Sequence, residues 1–484
     1  MLETDYLIVG AGAGGLAFAD ALIADSDADV VLVDRRHRPG GHWNDAYPFV
    51  RLHQPSAFYG VNSRTLGADS VDQAGPNAGL YELATAAQIC DYFQRVLDEH
   101  LLPSGQVRFF GMCDCPIDGA GERQFTSRLT GETTTVRVRR KVVDARYLET
   151  SIPATHTPSF QAEPGVRLIP VNDLVTLAEP PGGFTVIGGG KTAMDACLWL
   201  LGSGVPPELI RWIRPRDAWL LDRAYQQPLD LVAWLIEGVS LYAEAAAQAK
   251  DAGDLFRRLE ACGQLRRIDP AVEPEMYRCA TVSDSELTSL RRIENVVRQG
   301  RVVRIGPDQV VLGKGSVPAG AGQVYVDCSA AGLRMAPGRP VFAPGLITLQ
   351  AVRSCQPTFS AALAGYVEAS RPDDAGKNRL CPPNPYPDTA ADWIPTTCIS
   401  LRAQNRWLRD PDLAAWLDRS RLNAACGVRD HLTEPRMKSA LDRLFASTEQ
   451  AITNLDAFLA QARQAGAAGR PGQRISTPGT ASRG

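Results

Sequence analysis

The chain has 484 residues, of which 44% are hydrophobic and 22% charged, with a formal net charge of −3. That length exceeds what one hydrophobic core supports, so two or three domains are expected, and the composition excludes a disordered or fibrous protein. With no basic field and no long lysine/arginine cluster, nucleic acid is not an expected partner.

No apolar run approaches the ~18 residues that a membrane-spanning helix needs, and the acidic, glycine-flanked start does not read as a signal peptide. The expected location is the cytoplasm, where the eleven scattered cysteines would be reduced thiols packed as small apolar groups. Cys113 and Cys115 have one residue between them, which is not the spacing of a redox dithiol. The histidines fall at no metal-ligand spacing, so no metal is expected.

In chain order, Tyr6 to Val9 reads as a buried parallel strand. Gly10-Ala11-Gly12-Ala13-Gly14-Gly15 follows it directly and opens an amphipathic run from Leu16 to Ala24. Strand, glycine turn and helix in that order make a dinucleotide cradle: Gly10 permits the turn, Gly12 lets a pyrophosphate approach, and Gly15 lets the helix pack close, with Gly14 between them. The next strand, Val30 to Val33, ends at Asp34 and Arg35. A carboxylate there accepts both hydroxyls of an adenosine ribose.

Leu83 to His100 reads as a helix, Val107 to Arg140 as short strands and turns, and Val142 to Ala145 as a strand returning to the sheet. A second cradle begins at the strand Phe184 to Ile187, passes through Gly188-Gly189-Gly190-Lys191-Thr192-Ala193 and enters a helix from Met194 to Leu201. Gly188, Gly190 and Thr192 belong to the phosphate turn, and Lys191 either touches a phosphate or solvates the turn. Where an acid would mark an NAD site, the strand Leu209 to Ile213 is followed by Arg214 and Arg216. Guanidinium groups there favour a 2′-phosphate and hence NADPH; the other reading pairs them with Asp217 or Asp222. Two cradles in one chain are what a hydride relay needs.

Pro39-Gly40-Gly41-His42-Trp43 and, further on, Ser56-Ala57-Phe58-Tyr59-Gly60-Val61-Asn62 resemble segments of the flavin-containing and Baeyer–Villiger monooxygenases. The resemblance implies that the first cradle takes FAD, with Gly41, His42 and Trp43 beside the cofactor. It also makes Asn62 the candidate active-site amide, against its other reading as a turn residue. By the same likeness Val324 to Asp327 closes the FAD sheet, with Asp327 near the cofactor. Leu346 to Gln350 is the last strand, and Thr358 caps a helix aimed at the flavin. The chain departs from both families: His53 follows Tyr47-Pro48-Phe49-Val50-Arg51-Leu52 where Baeyer–Villiger enzymes carry an aspartate, and their second signature is absent around Ser159 to Pro164. It is identified as a divergent member.

The expected architecture is α/β: an FAD-binding Rossmann-like domain (1–164 and 306–380) with an inserted NADPH-binding Rossmann-like domain (165–305). A mainly helical segment (381–465), either covering the pocket or simply packing, and a disordered tail (466–484) complete it. The resemblance implies a monooxygenase that uses FAD, NADPH and molecular oxygen to oxygenate a small organic substrate at nitrogen, sulfur or carbon through a flavin hydroperoxide. Two other readings stay open: an NADPH-dependent flavin reductase or dehydrogenase without oxygenation, and a nucleotide-binding protein without turnover. Substrate and oligomeric state are not written in the sequence.

Overall fold

The computed structural model describes residues 1–117 and 122–468. The chain opens with β1 (Leu2–Val9), α1 (Ala13–Ala24), β2 (Val30–Val33), α2 (Ala86–Val96), β3 (Val107–Phe110) and the long β4 (Thr133–Asp144). Strands β4, β1, β2 and β3 lie side by side and parallel, Leu7 standing opposite Val31 on one side and Val142 on the other. Buried throughout, the Tyr6 to Val9 half of β1 and the whole of β2 read as continuous apolar runs rather than alternating ones.

The chain then leaves this sheet and builds a second one. It comprises β5 (Arg167–Pro170), β6 (Gly183–Ile187), β7 (Ile210–Ile213), β8 (Val296–Val297) and β9 (Gln323–Asp327), ordered β8-β7-β6-β9-β5 and all parallel. α3 (Lys191–Gly202) follows β6. Here the structure corrects the sequence reading, because Val324 to Asp327 closes this second sheet and not the first. Sequence order could not decide between them, since a short parallel strand fits either. The return to the first sheet therefore follows Asp327 rather than Ile305. Val302–Ile305 and Gln309–Leu312 pair antiparallel in a small side sheet.

β10 (Leu346–Thr348) rejoins the first sheet beside β4, and α4 (Pro357–Ser370) crosses α1. The crossing is close enough that a Cβ on Gly365 would stand 2.6 Å from the Phe18 carbonyl oxygen. That contact sets where the N-terminus of α4 points. Thr358 does not cap it: the helix begins after Gln356, with Pro357 first and no side-chain cap, and Thr358 is buried inside the first turn.

The helices of the C-terminal segment pack against the cores, while its start, at Tyr386 and Pro387, lines a cavity. In α5 (Ala390–Arg409), Trp393 stacks on Tyr242 and Trp407 lies against Phe359. In α6 (Pro411–Arg419), Trp416 stacks on Tyr366 at 5.0 Å. These tryptophans join the core under the first sheet to that of the inserted unit, burying large apolar area in each. The last helix runs Pro435–Ala468 and so takes in the first three residues of the tail expected over 466–484; the remainder, 469–484, lies outside the described residues. Among the described residues no helix is long and apolar enough to cross a membrane.

Candidate functional site

The first cradle is built by close backbone approaches that only glycine allows. Gly10 has φ +111°, and a Cβ on Gly15 would lie 1.9 Å from the Gly10 carbonyl oxygen. Gly15 therefore serves helix packing. Gly12 is the N-cap of α1 and carries no side-chain cap, which leaves N–H groups of the first turn directed outward for an anion. Gly41, at φ +58°, would place a Cβ 3.0 Å from the Gly12 Cα, so the Gly40-Gly41 turn rests on the phosphate turn itself.

At the end of β2 the Asp34 carboxylate accepts from the Ala11 N–H at 2.6 Å and the Arg36 N–H at 2.7 Å. These bonds fix it at the wall of a cavity of about 170 Å³ that is also lined by Gly10, Gly12, Gly14, Arg35, Gly41 and His42. Arg35 is ion-paired with Glu149 at the rim.

The second cradle repeats the construction with different tolerances. A Cβ on Gly188 (φ +145°) would meet the Cys328 carbonyl oxygen at 2.6 Å, and one on Gly189 would meet that of Arg216 at 2.4 Å. Gly190, the uncapped N-cap of α3, has open space where its Cβ would be. Its lack of a side chain is not required by packing. Lys191 is ion-paired with Asp195, whose other oxygen accepts from the Tyr47 hydroxyl at 2.7 Å. Gly188, Gly190, Lys191, Thr192 and Arg216 all line a larger cavity of about 460 Å³.

His42, Tyr59, Thr150, Leu333 and Pro357 line both cavities, so the two cradles lie side by side across a shared wall. Trp43 lies at this junction, stacked on His42 at 5.1 Å and donating from its indole N–H to the Tyr59 hydroxyl at 2.7 Å. Burial, with the nearby Arg36, pushes the His42 imidazole down to about 4, so it is neutral at physiological pH.

His53, the residue at which the chain departs from the Baeyer–Villiger pattern, also faces the larger cavity. Burial first, then Lys191 and Arg223, push it down to about 3, and its Nδ1 has no hydrogen-bond partner. The Tyr386 hydroxyl in the same wall is likewise unpartnered. Buried polar atoms left open in this way are costly unless something binds them.

Besides Gly15, which serves helix packing, three expected site residues are not brought to either cavity. Asn62 accepts from the Ser420 hydroxyl at 2.8 Å, and its backbone N–H donates to Asp20; it ties the turn to the C-terminal segment. Arg214 is 2% exposed, lying over Trp212 and paired with Asp217 at 3.2 Å. Asp327 is held by His156 at 2.8 Å and by the Ser329 hydroxyl. Asn62 and Arg214 point into packing, and Asp327 ends a strand of the second sheet rather than the first.

Arg216 does face the cavity, but Asp388 already holds it through two hydrogen bonds of 2.8 and 3.0 Å. Asp388 also takes one from Arg278, and Arg216, then Arg278, keep its carboxyl at about 2. The exposed Arg301 lines the same cavity with no carboxylate partner among the described residues. No local signal in the sequence marks Arg278, Arg301, His53 or Tyr386, since their convergence is tertiary.

Residues 8–60 match the NAD(P)-binding Rossmann-like domain. Protein Rv2000 of Mycobacterium tuberculosis, described as uncharacterized, is 47% identical over 470 residues, covering 96% of this chain and 86% of that one. A ferredoxin–NADP reductase of Salinispora tropica is 37% identical over 92 residues, which is 19% of this chain and 28% of the reductase. Solved structures of similar shape include a flavin-containing monooxygenase from Stenotrophomonas maltophilia (16% identity, 72% of this chain and 90% of that one, TM-score 0.43). Another is a cyclohexanone monooxygenase from Rhodococcus sp. Phi1 bound to NADP+ (12% identity, 76% and 85%, TM-score 0.44). The identity over nearly the whole chain shows that the chain belongs to the family of the mycobacterial protein Rv2000.

Proposed function

We propose that this chain is an FAD-dependent, NADPH-consuming oxidoreductase and, more narrowly, a monooxygenase acting on a small organic substrate. The observation that carries this reading is the shared wall of His42, Tyr59, Thr150, Leu333 and Pro357, which sets the two nucleotide cradles side by side. Two uncapped helix N-termini, each entered through glycine, suit two pyrophosphates. FAD in the first cradle would supply hydride acceptance and oxygen activation, the chemistry no side chain here provides.

The chain's own residues bind, orient and exclude water. Asp34 takes the adenosine ribose of the first nucleotide. Trp43 and Tyr59 form a rigid apolar wall at the junction, and neutral His42 adds a polar edge without a charge. In the second cradle Lys191, neutralised by Asp195, orients rather than anchors. Arg301, whose guanidinium has no carboxylate to satisfy it, takes the 2′-phosphate beside Arg216. His53 Nδ1 and the Tyr386 hydroxyl orient the nicotinamide or the substrate in the larger cavity.

A second reading, an NADPH-dependent reductase that makes no oxygenated product, draws support from the stretch matched to the Salinispora reductase. The two readings separate when NADPH-reduced protein is mixed with oxygen in stopped flow. Slow return of the oxidised flavin spectrum, slower still with NADP+ bound, is expected of the monooxygenase; immediate return with stoichiometric hydrogen peroxide would overturn it in favour of the reductase.

A further inference from the structure

The cysteines were expected to be reduced and scattered. Instead Cys279 and Cys355 are joined in a disulfide, with Cα atoms 6.3 Å apart and 76 residues between them in sequence. The bond links Met276–Val282, a strand of the inserted unit, to the segment between β10 and α4 of the first. Both residues line the larger cavity, the one into which Gly188, Gly190, Trp43 and Tyr59 also face. Among the other cysteines Cys328 lines that cavity too, and burial holds its thiol far above the usual range. Cys115, in the first cavity, is pushed up to about 11. Protonated thiols of that kind are inert.

Cys279 and Cys355 have different surroundings. Cys355 is half-buried and stands two residues before Pro357, at the uncapped N-terminus of the 14-residue helix α4. Helix N–H groups there favour a thiolate over a thiol. The cavity-lining guanidinium of Arg278 is the chain neighbour of Cys279. Among the described residues, two of the five non-glycine residues with positive φ are these cysteines, at +56° and +61°. Such conformations persist where the surroundings impose them, and they cluster at functional sites.

We propose that Cys279 and Cys355 form a redox-active disulfide that receives reducing equivalents in the junction cavity, a second electron acceptor beyond the nucleotide cofactor. The inference rests on the FAD and NADPH reading above. In the balanced step, NADPH gives up a hydride, which reaches the pair by way of the bound flavin, and solvent gives a proton. The S–S bond breaks, two cysteine thiols form, NADP+ leaves, and the flavin ends oxidised as it began. Cys355, the more exposed sulfur, is the one presented to the cavity once the bond opens.

The test is an anaerobic NADPH titration of the flavin-loaded protein, followed by quenching, alkylation with iodoacetamide and peptide mass mapping. The proposal expects one further equivalent of NADPH beyond that needed by the flavin. It also expects alkylation to appear at both Cys279 and Cys355 only after NADPH, and the extra equivalent to vanish in the Cys279→Ser/Cys355→Ser variant. Should that variant not fold, the wild-type mass map decides alone. Flavin that bleaches with one equivalent while the pair stays unalkylated overturns the redox role and leaves the oxidoreductase reading standing. Protein whose flavin does not respond to NADPH overturns both.

Discussion

Replacing Gly190 by alanine separates nucleotide binding from folding, because the added methyl group meets nothing in the protein. Its Cβ direction is open space, and its backbone, at φ −96° and ψ −175°, suits any residue. The cost to the fold is that of a poorer N-cap, partly offset by a stiffer unfolded chain, and stays within about 1 kcal/mol. The open space is where a pyrophosphate would approach the first turn of α3. Losing one charge-assisted hydrogen bond there costs about 1.5–3 kcal/mol, or roughly 10–100-fold in NADPH affinity.

Gly189→Ala is the contrasting variant: its Cβ would sit 2.4 Å from the Arg216 carbonyl oxygen, so the loop must move at a cost of about 1–3 kcal/mol. The assay is the rate of flavin reduction against NADPH concentration in anaerobic stopped flow, beside thermal unfolding and flavin content. Gly190→Ala should raise the half-saturating NADPH concentration with flavin content and Tm nearly unchanged, while Gly189→Ala lowers Tm. If Gly190→Ala reduces its flavin at the wild-type NADPH concentration, the second cradle does not hold the nicotinamide nucleotide.

Three further outcomes are expected. Arg301→Ala should narrow the preference for NADPH over NADH by roughly tenfold in kcat/KM, the worth of one surface phosphate contact; an unchanged ratio in steady-state assays with both nucleotides would refute that role. Asn62→Ala should leave the rate of flavin reduction near wild type but lower stability by about 1–3 kcal/mol, since it strands the Ser420 hydroxyl; loss of reduction with an unchanged melt would restore it to the site. Keeping His42 and His53 neutral when folded, at about 4 and about 3 against 6.5, makes the unfolded chain the better proton acceptor below pH 6.5. The stability gained is therefore complete above pH 6.5 and erodes as pH falls towards 4, by up to about 1.4 kcal/mol per pH unit per group. His53→Gln should flatten that dependence in urea unfolding curves between pH 5 and 7, and an unchanged slope would contradict it.

What the sequence made legible was local. Glycine turns directly after apolar strands, and Asp34 at the end of the next strand, follow from chain neighbours alone, and Gly10, Gly12, Gly14 and Asp34 do gather at one cavity. What it hid depends on direction and distance. Arg214 and Arg216, two residues apart, would share one face of a continuous strand; the strand ends at Ile213 and the chain bends at Pro215 and Arg216, so one lies over Trp212 and the other reaches the cavity. Asn62 sits close in sequence to Tyr59, which lines both cavities, yet its own amide is spent on Ser420, far along the chain. The Cys279–Cys355 pair and the Arg216–Asp388–Arg278 cluster join segments that nothing in the linear pattern connects.

The central claim is tested most directly by the visible spectrum of the purified protein under anaerobic addition of NADPH. The account predicts a yellow protein carrying about one FAD per chain, bleached by NADPH at lower concentration than by NADH. A colourless protein that takes up no FAD when it is supplied, or a flavin that NADPH leaves oxidised, would contradict it.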